Sequence, residues 1–411
     1  MKLRKTQVAA AVGGALLLVG TAVQAQTAPT VQVYGQVSRA LMFADDGTQS
    51  KWFHVDAEPS GTRFGVTGTG QALPTLRYGF RIEVDMQSNE SQRVTFTPQA
   101  GGNGPQSNFP GTDDDTGGFA DRYMDAWLEG GWGRLHIGQG DGAANGASES
   151  DLSGTGMANG IGVADLGGGI NFRSTGTTPP GFGPNINATL NQQDFESRYD
   201  RLMYVTPTFG GFRVQASWGQ KAASGGGAPA VVGNGVPVTQ NTDVKELSAW
   251  YGGKFGGFGE LAAALGWSER GANSPGGTTD EYIGGSVSWL HGSGLNLTFS
   301  HTRRTQPLTA AQDAAGFELE SKFTYFKVGF KRGAHAVAVD MAIGEDFNAL
   351  EDKSTMIGIG YVWNPVRWLE LFAAYKVHSL DRDGSTNGTT ITAASTFDDI
   401  KIGTLGTRIR F

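Results

Sequence analysis

The chain has 411 residues, 64 of them Gly and none Cys, with 32 Lys plus Arg against 39 Asp plus Glu for a formal charge of −7. Glycine at about twice its usual ~7% share, spread along the whole length without a G-X-Y period, points to a backbone that turns often and excludes collagen or a linker. The apolar and aromatic content excludes disorder, the acidic balance without a basic block excludes a nucleic-acid partner, and the lack of cysteine excludes thiol catalysis and thiolate metal sites.

The N-terminus reads as a separate object. Lys2, Arg4 and Lys5 precede an apolar, small-residue run from Ala9 to Val23, and Val23-Gln24-Ala25 fits a small-residue cleavage site. This predicts a secretory signal peptide over 1–25, leaving 26–411 as the mature chain. The apolar run falls short of the ~20 residues that a spanning helix needs. Nothing beyond Ala25 is apolar over a comparable length, so no helix of the mature chain is expected to span a membrane.

Alternation is the informative signal beyond that point. From Leu76 to Met86 the apolar residues fall on one face, with Arg77, Arg81, Glu83 and Asp85 on the other, which is the period of a strand. At helical period the same charges would scatter all round. The pattern returns at Phe212–Trp218, Leu247–Phe255, Leu295–Ser300, Ile357–Trp363 and Leu369–His378. Around Asp125, Lys322 and Ile400 the parity breaks, which predicts a bulge or a shifted strand boundary there, and parity alone turns Asp125 toward lipid or a neighbouring subunit.

The connections alternate as well. Tight turns at Gly130-Gly131, Phe209-Gly210-Gly211, Gly256-Gly257, His291-Gly292-Ser293 and Arg332-Gly333 predict hairpins. Between them run longer polar stretches at Asn89–Gly118, Asp141–Ser197, Lys221–Asp243, Arg270–Thr279, Thr305–Phe317 and Asp381–Phe397. Short turns on one side and long loops on the other predict an all-β, antiparallel, up-and-down transmembrane barrel. About sixteen strands of roughly 9–11 residues each fit the length and leave a water-filled interior. Trp127, Trp132, Trp218, Trp250, Trp267, Trp289, Trp363 and Trp368 mostly fall near strand ends, where their rings form girdles at the lipid interfaces.

Several segments carry a family resemblance. Val31–Val37, Gly61-Thr62-Arg63-Phe64-Gly65-Val66-Thr67-Gly68, Arg122–Gly130 followed by Gly133–Gly138, Arg201–Tyr204 running into Pro207–Phe212, and the ending Leu405–Phe411 resemble, in this order, strands of the Gram-negative general porins. The resemblance implies a homotrimer of sixteen-stranded barrels in the outer membrane of a Gram-negative bacterium, passing small hydrophilic solutes by passive diffusion. It also implies a third external loop, here 141–197, folded into the lumen. That loop carries Asp141, Glu149, Asp151 and Asp165, and it faces a basic wall. Arg63 and Arg122 match the wall by motif, Arg77 and Arg81 join it by strand parity, and Arg198 or Arg201 by proximity to the sixth strand. Leu405, Ile409 and Phe411 resemble the signal read by the barrel-assembly machinery, and outer-membrane lipid and lipopolysaccharide are the implied surroundings.

Other chemistry is thinly represented. His54, His136, His291, His301, His335 and His378 are scattered without metal spacing, and no cofactor or metal is expected. Gly138-Gln139-Gly140 opens no helix, and Asp113-Asp114-Asp115 reads as a solvated loop. A substrate-specific channel for a sugar, phosphate or organic anion is the alternative. A barrel enzyme would need a Ser/His or Asp/His cluster at one rim, and no enzymatic activity is expected.

Overall fold

In the computed structural model, residues 29–96, 120–176, 180–222, 231–232, 236–237, 241–271, 279–306, 310, 319–347, 351–382, 385–386, 391–392 and 395–411 are described. The expected signal peptide and Asp113–Asp115 lie outside them. The strands in chain order begin β1 (Thr30–Asp45), β2 (Ser50–Asp56), β3 (Arg63–Leu73), β4 (Leu76–Asp85), β5 (Ala120–Gly130), β6 (Gly133–Asp141), β7 (Asn171–Ser174) and β8 (Gly181–Asn185). They continue with β9 (Arg198–Val205), β10 (Phe212–Ala222), β11 (Val231–Val232), β12 (Val236–Pro237), β13 (Asn241–Lys254), β14 (Glu260–Arg270), β15 (Asp280–Leu290) and β16 (Leu295–Thr305). The last are β17 (Glu320–Arg332), β18 (His335–Glu345), β19 (Asp352–Val366), β20 (Leu369–Arg382), β21 (Ser385–Thr386), β22 (Ile391–Thr392) and β23 (Ile400–Arg410).

Seventeen of these strands form one sheet in which sequence neighbours pair antiparallel. It closes where β1 pairs β23, with Gln36 opposite Arg410 and Asp45 opposite Lys401. Both β2 and β3 pair with β1 on its other edge, end to end, so the barrel has sixteen staves. Closure is what lets a sheet persist in hydrocarbon, because no row of backbone N–H and C=O groups is left facing lipid.

The two faces separate as alternation requires. On β4, Ile82 points outward at 49% exposure while its neighbour Glu83 points inward at 6%. Val33, Ile137, Leu265, Val328, Ile357 and Leu405 extend the exposed apolar band round the barrel. Such a surface is far beyond the patch a water-soluble monomer exposes and suits contact with acyl chains.

Two parity readings need correction. Asp125 faces the lumen, because one bulge between β4 and β5 sets Glu83 opposite Tyr123 and Val84 opposite Asp121, leaving Arg122 as the extra residue. Beyond the bulge, Tyr123, Asp125 and Trp127 all turn inward, and Met124 and Leu128 turn out. At Lys322 and Ile400 there is no bulge: β17 and β23 pair in unbroken register. Lys322 breaks the apolar pattern because it lies at the loop end of the outer face, beside Glu320. Trp127 is not a girdle residue but faces the lumen, as does Trp250 in keeping with its place on the Glu246 and Ser248 face of β13, and Arg134 and Arg213 cover their rings. Trp132, Trp218, Trp363 and Trp368 are exposed on the outside.

The long segment after β6 runs inside the barrel. Ser248 on β13, Ser286 on β15 and Ser300 on β16 donate to the carbonyls of Ala143, Ala147 and Ser148. Further along, Tyr325 on β17 donates to the Asn159 carbonyl at 3.1 Å, and Lys376 on β20 to that of Val163 at 3.4 Å. The inner wall beneath it is made of small side chains, including Ala264, Ser288, Ala338 and Ala342. At Gly360 on β19 a Cβ would collide with Asn159, so only glycine admits the loop at this distance. Apolar loop residues Met157, Ile161, Val163, Ile170, Phe172 and Leu190 pack against Met42, Phe323, Met356, Phe372 and Ile402 of the wall. The loop is therefore packed onto the inner face of β13, β15–β17, β19 and β20.

Candidate functional site

A second stretch of the inner wall, on β3–β6, β9 and the Arg408–Arg410 end of β23, carries the arginines. Arg122, delivered inward by the bulge, reaches Glu83 at 2.8 Å and Asp85 at 2.9 Å. Arg63 shares Glu83 at 3.8 Å, and the Tyr34 hydroxyl donates to the same carboxylate at 2.7 Å. Arg81 pairs with Asp125 at 3.7 Å and lays its guanidinium 3.2 Å from the centroid of Tyr123. Arg198 meets Asp141 at 3.3 Å, and Tyr123 donates to that carboxylate.

Arg201 and Arg77 lie elsewhere. The Arg201 side chain, 1% exposed, is locked into the wall between Asp125 at 3.0 Å and the carbonyls of Gly138 and Asp141. Arg77 sits beside the short β3–β4 turn, where it pairs with Glu129 at 3.6 Å.

Of the acids assigned to the loop, Asp141 closes β6 and belongs to the basic wall. Asp151 is held by Lys327 on β17 at 2.7 Å. Burial pushes the Asp151 carboxyl up, but the ammonium outweighs it and leaves the group below its ordinary range. Asp165 has no ion pair among the described residues; burial and the nearby Glu149 push its carboxyl up to about 7, against the pull of Lys376. Glu149 is open to lumen water yet enclosed by the barrel, and that enclosure raises its carboxyl, while Gln192 and Arg198 oppose. Asp194, packed against the Gly146 N–H at 2.7 Å, is raised well above the ordinary value by burial and by Glu149.

Three features of this region escape the sequence reading. Between β2 and β3 the chain leaves the wall in a one-turn 3-10 helix, Glu58–Ser60. Gln36 Nε2 fixes that turn by donating to the carbonyls of Ser60 at 2.9 Å and Gly61 at 2.7 Å. The run Glu58-Pro59-Ser60-Gly61 was the available signal. Arg408 and Arg410 on β23 also point inward and share Glu370, the former at 2.6 Å. The third feature is the apolar anchoring of the loop described above. Together the turn, the loop and β23 enclose a gap of ≈ 400 Å³ lined by Pro59, Ser60, Glu149, Asp151, Asp165, Glu370, Arg408 and Arg410.

A closed barrel with an apolar belt, a charged lumen and an inward-folded loop defines an outer-membrane channel. The sequence places it further: a Gram-negative porin model matches residues 9–383, and the chain belongs to that family, which fixes its site in the outer membrane and its role in passive diffusion through a water-filled pore. A sequence comparison with curated proteins finds no match. Among solved structures, it resembles the anion-selective porin from Comamonas acidovorans at 17% identity and a TM-score of 0.59, covering 93% of this chain and 100% of that one. In-vitro folded OmpT, an outer membrane protein of Vibrio cholerae, gives 14% and 0.56, with 95% and 99% coverage. The outer membrane channel DcaP of Acinetobacter baumannii gives 14% and 0.53, with 93% and 98%. At these identities the likeness is one of fold.

Proposed function

We propose that the gap between the third loop and the arginine wall is the constriction of this channel, and that it favours small hydrophilic anions. The observation that carries the reading is the sharing of carboxylates. Arg81 and Arg201 share Asp125, and Arg408 and Arg410 share Glu370, whereas Arg63 and Arg122 are matched by Glu83 and Asp85. Guanidinium charge is thus in excess on one side. On the other, Lys327 neutralises Asp151, and Asp165 and Glu149 are biased toward the protonated form. The resulting transverse field attracts anions where few counter-ions fit to screen it.

Planar-bilayer recording in a KCl gradient tests this. The expected result is a reversal potential of anion sign, and a cation sign rejects it. A homotrimer is proposed on the family's behaviour and on the Vibrio cholerae protein, one structure of which is a trimer form; closure in three equal steps is the expected record. Transport, not catalysis, is the function proposed: His136 is tied to Asp125 at 3.1 Å and His301 to Thr324 at 2.9 Å, and His291, which meets Ser293 at 2.8 Å in the β15–β16 turn, has no carboxylate in ion-pair contact among the described residues.

A further inference from the structure

The loop is tied to the turn between β2 and β3 through the segment that leaves β4. Ser91, fully buried, stands at the centre of the tie. Its N–H donates to the Asp56 carbonyl at 2.9 Å, and its carbonyl accepts from the Gly167 N–H at 2.9 Å. Its hydroxyl accepts from the Glu58 N–H at 3.0 Å and donates to the Asp165 carbonyl at 2.5 Å. One serine thus clasps turn to loop, and Pro59, Ser60, Gly162 and Asp165 beside the clasp line the constriction gap.

The clasp holds more carboxylate than it pairs. Asp56 has Arg39 at 3.4 Å, and Glu90 has Arg93 at 2.7 Å. Glu58 of the turn and Asp165 of the loop have no ion pair among the described residues, and Glu58 Oε2 is sealed from solvent without a hydrogen-bond partner. Their chain neighbours Ala57 and Ala164 lie in one apolar cluster with Val55, Val94 and Ile170, so charge is poorly hydrated there. Burial, and then the charges of Asp165, Glu90 and Asp85, push the Glu58 carboxyl up to about 8, with Gln87 opposing. On its other side Asp165 faces Glu149 of the loop and Lys376 of β20.

We infer that this clasp sets the size limit of the channel, narrowing the gap while Glu58 and Asp165 hold protons and widening it when both ionise. The inference rests on the constriction proposed above and concerns its width, whereas that reading concerns its charge. Two ionised carboxylates on either side of one serine repel, and the hydrogen bonds between turn and loop then bear the repulsion. Protons favour the clasped state, so the clasp is firmest below the ordinary carboxyl value of 4.5 and weakens as pH rises to about 8. Serines of β13, β15 and β16 keep the loop anchored at Ala143, Ala147 and Ser148, so ionisation shifts its Asp165 end without freeing the whole segment.

Swelling of proteoliposomes in uncharged sugars tests this, because lumen charge does not act on a neutral solute. Rates for a series from arabinose through sucrose to raffinose give the size limit of the purified channel. The sucrose rate, divided by the arabinose rate, is expected to rise several-fold from about pH 5 to about pH 8. Glu58→Gln and Asp165→Asn should each hold the ratio near its acid value throughout, and Ser91→Ala, which removes the link, should raise it already at the acid end. Heat-modifiable gel migration reports assembly, so either carboxylate variant carries the comparison if the other does not assemble. A size limit that does not change with pH, or a rise kept in an assembled carboxylate variant, overturns the inference and leaves the anion preference to its own reversal potential. Loss of arabinose swelling at every pH removes the channel reading and this inference with it.

Discussion

The guanidinium of Arg81 does two jobs. It lies 3.2 Å from the centroid of Tyr123 and pairs with Asp125 at 3.7 Å, so the ring holds the charge toward the lumen while the carboxylate only partly offsets it. Arg81→Gln should lower the anion-to-cation permeability ratio by about two- to fivefold, since a unit charge acting over a few ångströms of water is worth ~0.5–1 kcal/mol; bi-ionic reversal potentials measure it. Asp165 acts in the opposite sense. Its carboxyl is pushed up to about 7 by burial and by Glu149, so it is charged above that pH and neutral below it. Arginines stay charged throughout. Anion preference is therefore expected to rise as pH falls from about 8 to 6, and Asp165→Asn should hold the low-pH value across the range. A preference that rises with pH, or an unaltered titration in Asp165→Asn, contradicts the assignment. The residue types were legible in sequence; their division between free, shared and locked charges was not. Arg201 and Arg81 carry the same side chain and share one partner, yet only packing leaves Arg201 at 1% exposure.

At the scale of elements, the loop and the wall it lies on form a matched pair. Much of the inner face of β14–β19 carries Ala, Ser and Gly, written in the sequence as small residues at alternate positions, with Phe323, Tyr325 and Met356 as large exceptions against which the loop packs. Loop carbonyls then find hydroxyl donors at Ser248, Ser286 and Ser300, which satisfies backbone that would otherwise be orphaned in the interior. Gly360→Leu should displace Asn159 and its neighbours toward the aqueous path, at an overpacking cost of about 1–3 kcal/mol. The expected readout is a smaller single-channel conductance with the barrel still assembled. The strand positions were visible because period-two alternation is local. The bulge at Arg122 was visible only as a disturbance near Asp125, because the residue that shifts a register is identified by its partner strand, here Glu83 and Val84 of β4.

Closure belongs to the whole molecule. The N–H and C=O of Gly35 bond those of Phe411 at 3.1 and 3.0 Å, so the last residue completes the seam between β1 and β23. The Phe411 ring covers Gly35, where a Cβ would meet Cζ at 2.5 Å. We propose that Leu405, Ile409 and Phe411, exposed on the outer face at 63%, 41% and 66%, also serve recognition during assembly. Deleting Phe411 should reduce the yield of heat-modifiable barrel in outer membranes, while Phe411→Tyr keeps the ring and should restore it; equal yields for all three forms would separate the terminal ring from assembly.

The sequence alone determined that this chain makes strands with one oily and one ionic face, that turns and long loops alternate, and that the product is a barrel holding water. Those properties follow from side-chain order along the backbone, which survives unfolding. Only the tertiary structure decided which arginines stand free, that a turn at Glu58–Ser60 enters the lumen beside the loop, and that Trp127 looks into the pore. Each of these depends on what the closed sheet brings opposite a residue, and residues such as Arg410 and Asp165 meet across one gap only after the 244 intervening positions have folded round it.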